Sequence, residues 1–97
     1  MTAQRKIGQN KGKARLWLET KILSDNGWTR GKRFDVVWLS NAIEYRAEPT
    51  GARAVAGSDS RPVIDTNTDD ITATLGVAIG DKVTVSATPS RIRITAS

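Results

Sequence analysis

Five basic side chains, Arg5, Lys6, Lys11, Lys13 and Arg15, fall within the first fifteen residues, and no acid stands among them. Ammonium and guanidinium groups at that density neutralise phosphates and release their counterions, giving affinity that weakens with salt. The segment therefore predicts contact with a polyanion, nucleic acid first; an acidic protein surface or a plain solvated tail are the other readings of such a run. The chain carries 15 Lys and Arg against 10 Asp and Glu, a net charge of +5. Past Arg15 the two signs balance, so the whole excess lies in that one stretch of sequence.

Other chemistry is scarce. There is no histidine and no cysteine, which removes the commonest general base, thiolate nucleophiles and the usual zinc ligands. Asp65, Asp69 and Asp70 gather where a helix should start and are the one set of carboxylates that could hold Mg²⁺. Helix capping and the helix dipole account for them more simply. No phosphate loop, nucleophile elbow or zinc spacing is present. The expectation is a protein that is not an enzyme and uses no cofactor and no metal. No apolar run approaches the roughly 20 residues of a membrane span. The polar, basic N-terminus has no signal-like apolar region, so no membrane association and a cytoplasmic location are expected.

The elements that must position the basic residues are written twice. At 97 residues the chain suits one compact domain, or two small halves sharing a core. Shifting the sequence by 49 positions sets residues 22–47 on 71–96 with six identities: Ile22 on Ile71, Gly27 on Gly76, Gly31 on Gly80, Val36 on Val85, Ile43 on Ile92 and Ala47 on Ala96. Upstream, a shift of 46 sets Arg15 on Arg61, Trp17 on Val63, Leu18 on Ile64 and Glu19 on Asp65. The halves are residues 1–50 and 51–97, joined at Glu48-Pro49-Thr50-Gly51.

Each half reads as the same series. An extended segment (5–9; 52–56) leads to a short apolar strand (15–18; 61–64). A short helix follows, with Ile22 and Leu23 apolar in the first half and Ile71 and Leu75 stacked at i, i+4 in the second. Thr68 is the expected N-cap of the second helix. Gly27 and Gly76, each followed by an apolar residue, are expected to end the helices in a left-handed turn. Alternation of Phe34, Val36 and Trp38 and of Ile43 and Tyr45 then predicts a hairpin with one buried face, repeated by Val83 and Val85 with Ile92 and Ile94. All five aromatics, Trp17, Trp28, Phe34, Trp38 and Tyr45, lie in the first half; their counterparts Val63, Val77, Val83, Ala87 and Ile94 are smaller. Large facing small is how two unlike halves fill a common interior. Phe34 and Trp28 are expected in that core, while Trp17 and Trp38 are divided between core and surface.

The stretch "RLWLETKILSDNGWTRGKRFDV" with "AIEYR", and its second version "RPVIDTNTDDITATLGVAIGDKVTV", resemble the AbrB-type swapped-hairpin family of bacterial transition-state regulators and antitoxins. The first half is most similar to the SymE-like branch. The resemblance covers nearly all of residues 5–96 and lies in pattern rather than in one strong motif. It implies a mainly β fold with two short helices, a swapped-hairpin β-barrel, in which two tandem units form a single-chain pseudo-dimer. Members of the family usually carry one unit per chain and dimerise, so the duplication is a departure. A unit of about 45 residues buries too little surface to stand alone, and linkage makes the pairing independent of concentration.

The resemblance also implies that double-stranded DNA is met by the first strand pair and its loops. The matching positions are Arg5, Lys6, Lys11, Lys13 and Arg15, with Arg53 and Arg61 in the second half. The expected function is a small DNA-binding transcriptional regulator or an accessory factor of a bacterial or phage mobile element. A protein-binding anti-defence or antitoxin-type factor is the second reading, and a SymE-like RNA-directed toxin the third. The second half is charge-balanced, so three arrangements stay open: an asymmetric target, two chains pairing as a homodimer, or a second half that leaves DNA alone.

Overall fold

A computed structural model describes residues 2–97. Ten strands and two short helices follow one another as β1 (Thr2–Lys6), β2 (Gly8–Asn10), β3 (Lys13–Glu19), α1 (Lys21–Ser24), β4 (Arg33–Leu39), β5 (Ala42–Ala47), β6 (Arg53–Ala54), β7 (Ala56–Gly57), β8 (Pro62–Asn67), α2 (Asp70–Leu75), β9 (Lys82–Ala87) and β10 (Arg91–Ala96). They form two antiparallel sheets, one of six strands in the order β1-β9-β10-β5-β4-β6 and one of four in the order β2-β3-β8-β7. The fold is mainly β with two short helices, as the alternation and the glycine spacing suggest. The ladders do not close into a barrel: β1 and β6 are free edges of one sheet, β2 and β7 of the other. No helix among the described residues is long and apolar enough to cross a membrane.

The reason for two open sheets sits at Ile7 and Val55. Each interrupts a strand that starts in the six-stranded sheet and continues in the four-stranded one. Both side chains are buried, at 0% and 2% exposure. Their backbone groups leave the ladders for the glycine loops. Ile7 N–H donates to the Asp81 carbonyl at 2.8 Å and Gly80 N–H to the Ile7 carbonyl at 2.7 Å; Val55 N–H donates to Lys32 and Gly31 N–H to Val55, both at 2.9 Å. Satisfying buried backbone polar groups in this way lets the chain change sheets without orphaned donors.

Exchanging β1–β5 for β6–β10 reverses each strand order onto itself. Asp35 faces Arg46 where Thr84 faces Thr95, and Arg5 faces Val83 where Arg53 faces Phe34. The leading strand of each half thus pairs with the hairpin of the other. One offset needs correction. Gly8 faces Arg15 where Ala56 faces Val63, so Arg15 answers to Val63, Leu16 to Ile64 and Trp17 to Asp65. The upstream shift is 48 positions rather than 46.

The helices end as their glycines require. Gly27 has φ 80° and Gly76 φ 66°, and the following residues fold back, Trp28 N–H on the Leu23 carbonyl at 2.9 Å and Val77 N–H on Thr72 at 3.2 Å. At the start of α2 the N-cap position is Asp69, not Thr68; the Thr68 hydroxyl accepts the Asp70 N–H at 3.2 Å. The core between the sheets holds Leu16, Leu18, Leu23, Trp28, Phe34, Ile43, Tyr45, Ile71, Val85 and Ile94 among others. Trp28 and Tyr45 flank Phe34 with ring centroids 5.7 and 5.4 Å away. Trp17 and Trp38 are each 38% exposed, so only three of the five aromatics fill the shared interior.

Candidate nucleic-acid interface

Residues directly opposite in an antiparallel pair share a face of the sheet. With Val83, Val85, Ile92, Ile94, Ile43, Tyr45 and Phe34 facing the core, the alternate positions make the outer face of the six-stranded sheet. Lys6 and Gln4 stand there on β1, Lys82 and Thr84 on β9, Arg91 and Arg93 on β10, Glu44 and Arg46 on β5, and Arg33 and Asp35 on β4. Six cations and two carboxylates share this one surface. Strand pairing thus gathers cations from both halves onto this face, and of them only Lys6 comes from the first fifteen residues.

Two like-charge pairs are set directly across from each other on this face, Lys6 with Lys82 and Arg46 with Arg91. Such oppositions destabilise a sheet. The second is relieved by Glu44, whose Oε1 accepts from Arg46 Nε at 2.9 Å and lies 2.8 Å from Arg46 Nη2. Its Oε2 accepts from Arg93 and lies 3.6 Å from Arg91 Nη1. Glu44 is 1% exposed, covered by these side chains on the outside of the sheet. Burial pushes its carboxyl pKa up, but the bonds from Arg46 and Arg93 and the charges of Arg91 and Arg46 outweigh that and hold it below the ordinary value. The first opposition has no such relief: neither Lys6 nor Lys82 has an ion pair among the described residues. Nothing at the level of single segments marked Arg46, Lys82, Arg91 or Arg93 as a group. Their outward alternation was the only available signal.

The basic residues singled out in the sequence are not brought onto one surface. Lys6 alone joins the outer face just described. Arg5 is half-buried on β1, on the core side opposite Val83, and its Nη1 donates to the Gln4 carbonyl at 2.8 Å. Its counterpart Arg53 is exposed, opposite Phe34, and lines an open cleft of about 300 Å³ with Phe34, Ala54, Ala56, Val63, Ile64 and Asp65. Lys11 and Lys13 stand at the tight β2–β3 turn, where Lys11 (φ 54°) and Gly12 (φ 78°) form the two-residue connection. Arg61 is exposed in the turn before β8, its N–H bonded to the Ser58 carbonyl at 3.2 Å.

Arg15 faces out of the four-stranded sheet and is already engaged. It holds Asp65 through two bonds of 2.9 and 3.0 Å and lies 4.4 Å over the Trp17 ring. Its hydrogen bond to the Asp65 carboxylate raises its pKa further. Of the aspartates considered for magnesium, Asp65 is thus committed to Arg15, and Asp69 accepts the Ala14 N–H at 2.9 Å. No group of three or more acidic side chains among the described residues is arranged to hold a metal ion.

No protein-family model, curated protein or solved structure matches the chain.

Proposed function

We propose that this chain binds duplex DNA through the outer face of its six-stranded sheet, as a small transcriptional regulator or an accessory factor of a mobile element acting in the cytoplasm, and that it performs no catalysis. The observation that carries the reading is the opposition of Lys6 and Lys82, which no ion pair among the described residues relieves, set in a field of six cations and two carboxylates. A sheet that accepts this repulsion when free is relieved by a polyanion laid across it. Six strands at about 4.8 Å spacing span roughly 24 Å, too wide for a major groove of about 12 Å. The face would therefore ride on phosphates. The β2–β3 ribbon, with Lys11 and Lys13 at its tip, is narrow enough to enter a groove.

The reciprocal strand pairing, together with the AbrB-type sequence pattern, supports reading the chain as two swapped-hairpin units fused into a pseudo-dimer. The pseudo-dyad then runs between β5 and β10, at Glu44 and Arg93. Across it Lys82 is matched by Arg33, but Lys6 by Ala54 and Arg91 by Ala42, which favours an asymmetric target. Filter binding to duplex DNA across a salt series tests the reading. Lys6→Ala, Lys82→Ala and Arg33→Ala should each lower the log–log slope by about one. Lys11→Ala and Lys13→Ala report on the ribbon, and unchanged slopes in all five variants refute contact through either surface.

A protein partner is the second reading, favoured by the exposed Trp17, Trp38 and Ile79. It predicts DNA binding that is absent or insensitive to salt. RNA loss on addition of Mg²⁺ would instead support the toxin reading.

A further inference from the structure

Three guanidinium groups, Arg46, Arg91 and Arg93, converge on one oxyanion at the middle of the basic face, and the oxyanion is the chain's own Glu44. Each arginine side chain remains about half exposed, at 51%, 54% and 45%. A guanidinium has five N–H donors, and the contacts to Glu44 use only the inward ones. Convergent guanidinium forks are the usual seat of a phosphate, which they grip as they grip a carboxylate. The contact also ties the halves together, since Glu44 and Arg46 stand on β5 while Arg91 and Arg93 stand on β10.

We infer that Arg46, Arg91 and Arg93 form a phosphate seat at the centre of the face, and that Glu44 occupies its focus and competes with the incoming phosphate. The inference rests on the DNA-binding reading and adds to it a restraint: the native chain holds its strongest anion site partly filled. Asp35, the other carboxylate of the same face, accepts the Ala52 N–H at 2.9 Å and pairs with no arginine among the described residues. It provides the control. Glu44→Gln and Asp35→Asn remove the same charge from the same face, but only the first opens the seat.

The experiment is the salt series on duplex DNA with both variants, folding being checked by circular dichroism. Glu44→Gln should bind roughly three- to tenfold tighter near 0.1 M salt, with a slope steeper by about one. Asp35→Asn should change affinity by no more than about twofold, because Asp35 is held by the Ala52 N–H and blocks no arginine of the seat. Equal gains in the two variants, or no gain in Glu44→Gln, overturn the seat. If Glu44→Gln does not fold, Arg91→Ala in the native chain decides. With its charge committed to Glu44, Arg91 should lower the slope by well under one, against about one for Lys82→Ala; equal losses overturn the inference. If the native chain ignores DNA, the DNA reading falls and inorganic phosphate decides the seat alone. It should then raise the melting temperature of Glu44→Gln above that in chloride of equal ionic strength, and leave Asp35→Asn unmoved. An equal response in the two overturns it.

Discussion

Trp28→Ala tests whether one interior is shared by the two halves. The indole is fully buried, meets the Phe34 ring edge-on at 5.7 Å, and donates from Nε1 to the Thr88 carbonyl at 2.8 Å. Thr88 belongs to the other half, in the β9–β10 turn. Lys32 Nζ lies 4.7 Å over the ring and donates to the Pro89 carbonyl of that same turn. Truncation removes the largest core side chain and leaves a cavity where the halves meet, so the expected loss is about 3–5 kcal/mol. At about 4–8 °C per kcal/mol for a domain of this size, the melting temperature should fall by roughly 12–40 °C. Thermal and urea unfolding followed by circular dichroism measure it, with an unchanged m-value showing that the unfolding unit is the same. Two companions divide the effect. Trp28→Phe keeps a ring and loses the donor; the Thr88 carbonyl retains the Arg91 N–H at 3.3 Å, so the loss should be about 1 kcal/mol. Val77→Ala, at the partly buried counterpart, should cost about 1–2 kcal/mol. A loss below about 1 kcal/mol for Trp28→Ala would refute the shared core and place the indole in a surface pocket.

Tyr45 and Gly51 give two further tests. Burial pushes the Tyr45 pKa up to about 12, against smaller downward pulls from its bond with Thr66 and the charge of Arg53. The native chain then keeps a proton that the unfolded chain releases near pH 10. Stability is fully present below pH 10 and should decline as pH rises from about 10 towards 12. Tyr45→Phe should lose about 1–2 kcal/mol at neutral pH, because the buried Thr66 hydroxyl is left unpaired, and urea midpoints should show a shallower alkaline decline; parallel declines would exclude Tyr45 as the titrating group. At Gly51 an added Cβ would lie 2.5 Å from the Phe34 carbonyl oxygen and 2.6 Å from its carbon. Gly51→Ala should cost more than about 3 kcal/mol, whereas Gly27→Ala, strained only by its φ of 80° in open space, should cost about 1 kcal/mol in the same urea assay.

Local periodicity made the hairpins legible, since Val83, Val85, Ile92 and Ile94 alternate with polar residues and the burial follows that alternation. Gly27 and Gly76 likewise announced the helix ends, because a left-handed residue followed by an apolar one is a short-range device. The sheet change at Ile7 and Val55 was not legible. A single apolar residue between polar neighbours does not say which sheet each side joins, and its partners, Gly80 and Asp81 for Ile7, lie far along the chain. The upstream offset failed for a related reason. Aligning Arg15 with Arg61 followed residue identity, while the β2–β3 and β7–β8 ladders set Arg15 against Val63 as its counterpart.

That offset changes the chemistry assigned to the four-stranded sheet. Trp17 has Asp65 rather than Val63 as its counterpart, and the two face each other across β3 and β8. The large-against-small division of the aromatics therefore fails at Trp17. Its ring instead carries Arg15, which Asp65 holds in a two-bond clasp. An arginine stacked and paired in this way contributes little free charge, so the first-fifteen-residue cluster overstates what an anion would meet. On the six-stranded sheet the error runs the other way. Arg91 and Arg93 read in sequence as the wet side of a hairpin, yet pairing β10 with β5 and β9 sets them beside Arg46 and within a field that includes Lys82 and Lys6. Charge along a chain and charge on a face are related only through register. In this fold the register moves the cationic surface from the N-terminal segment to the seam between the two halves.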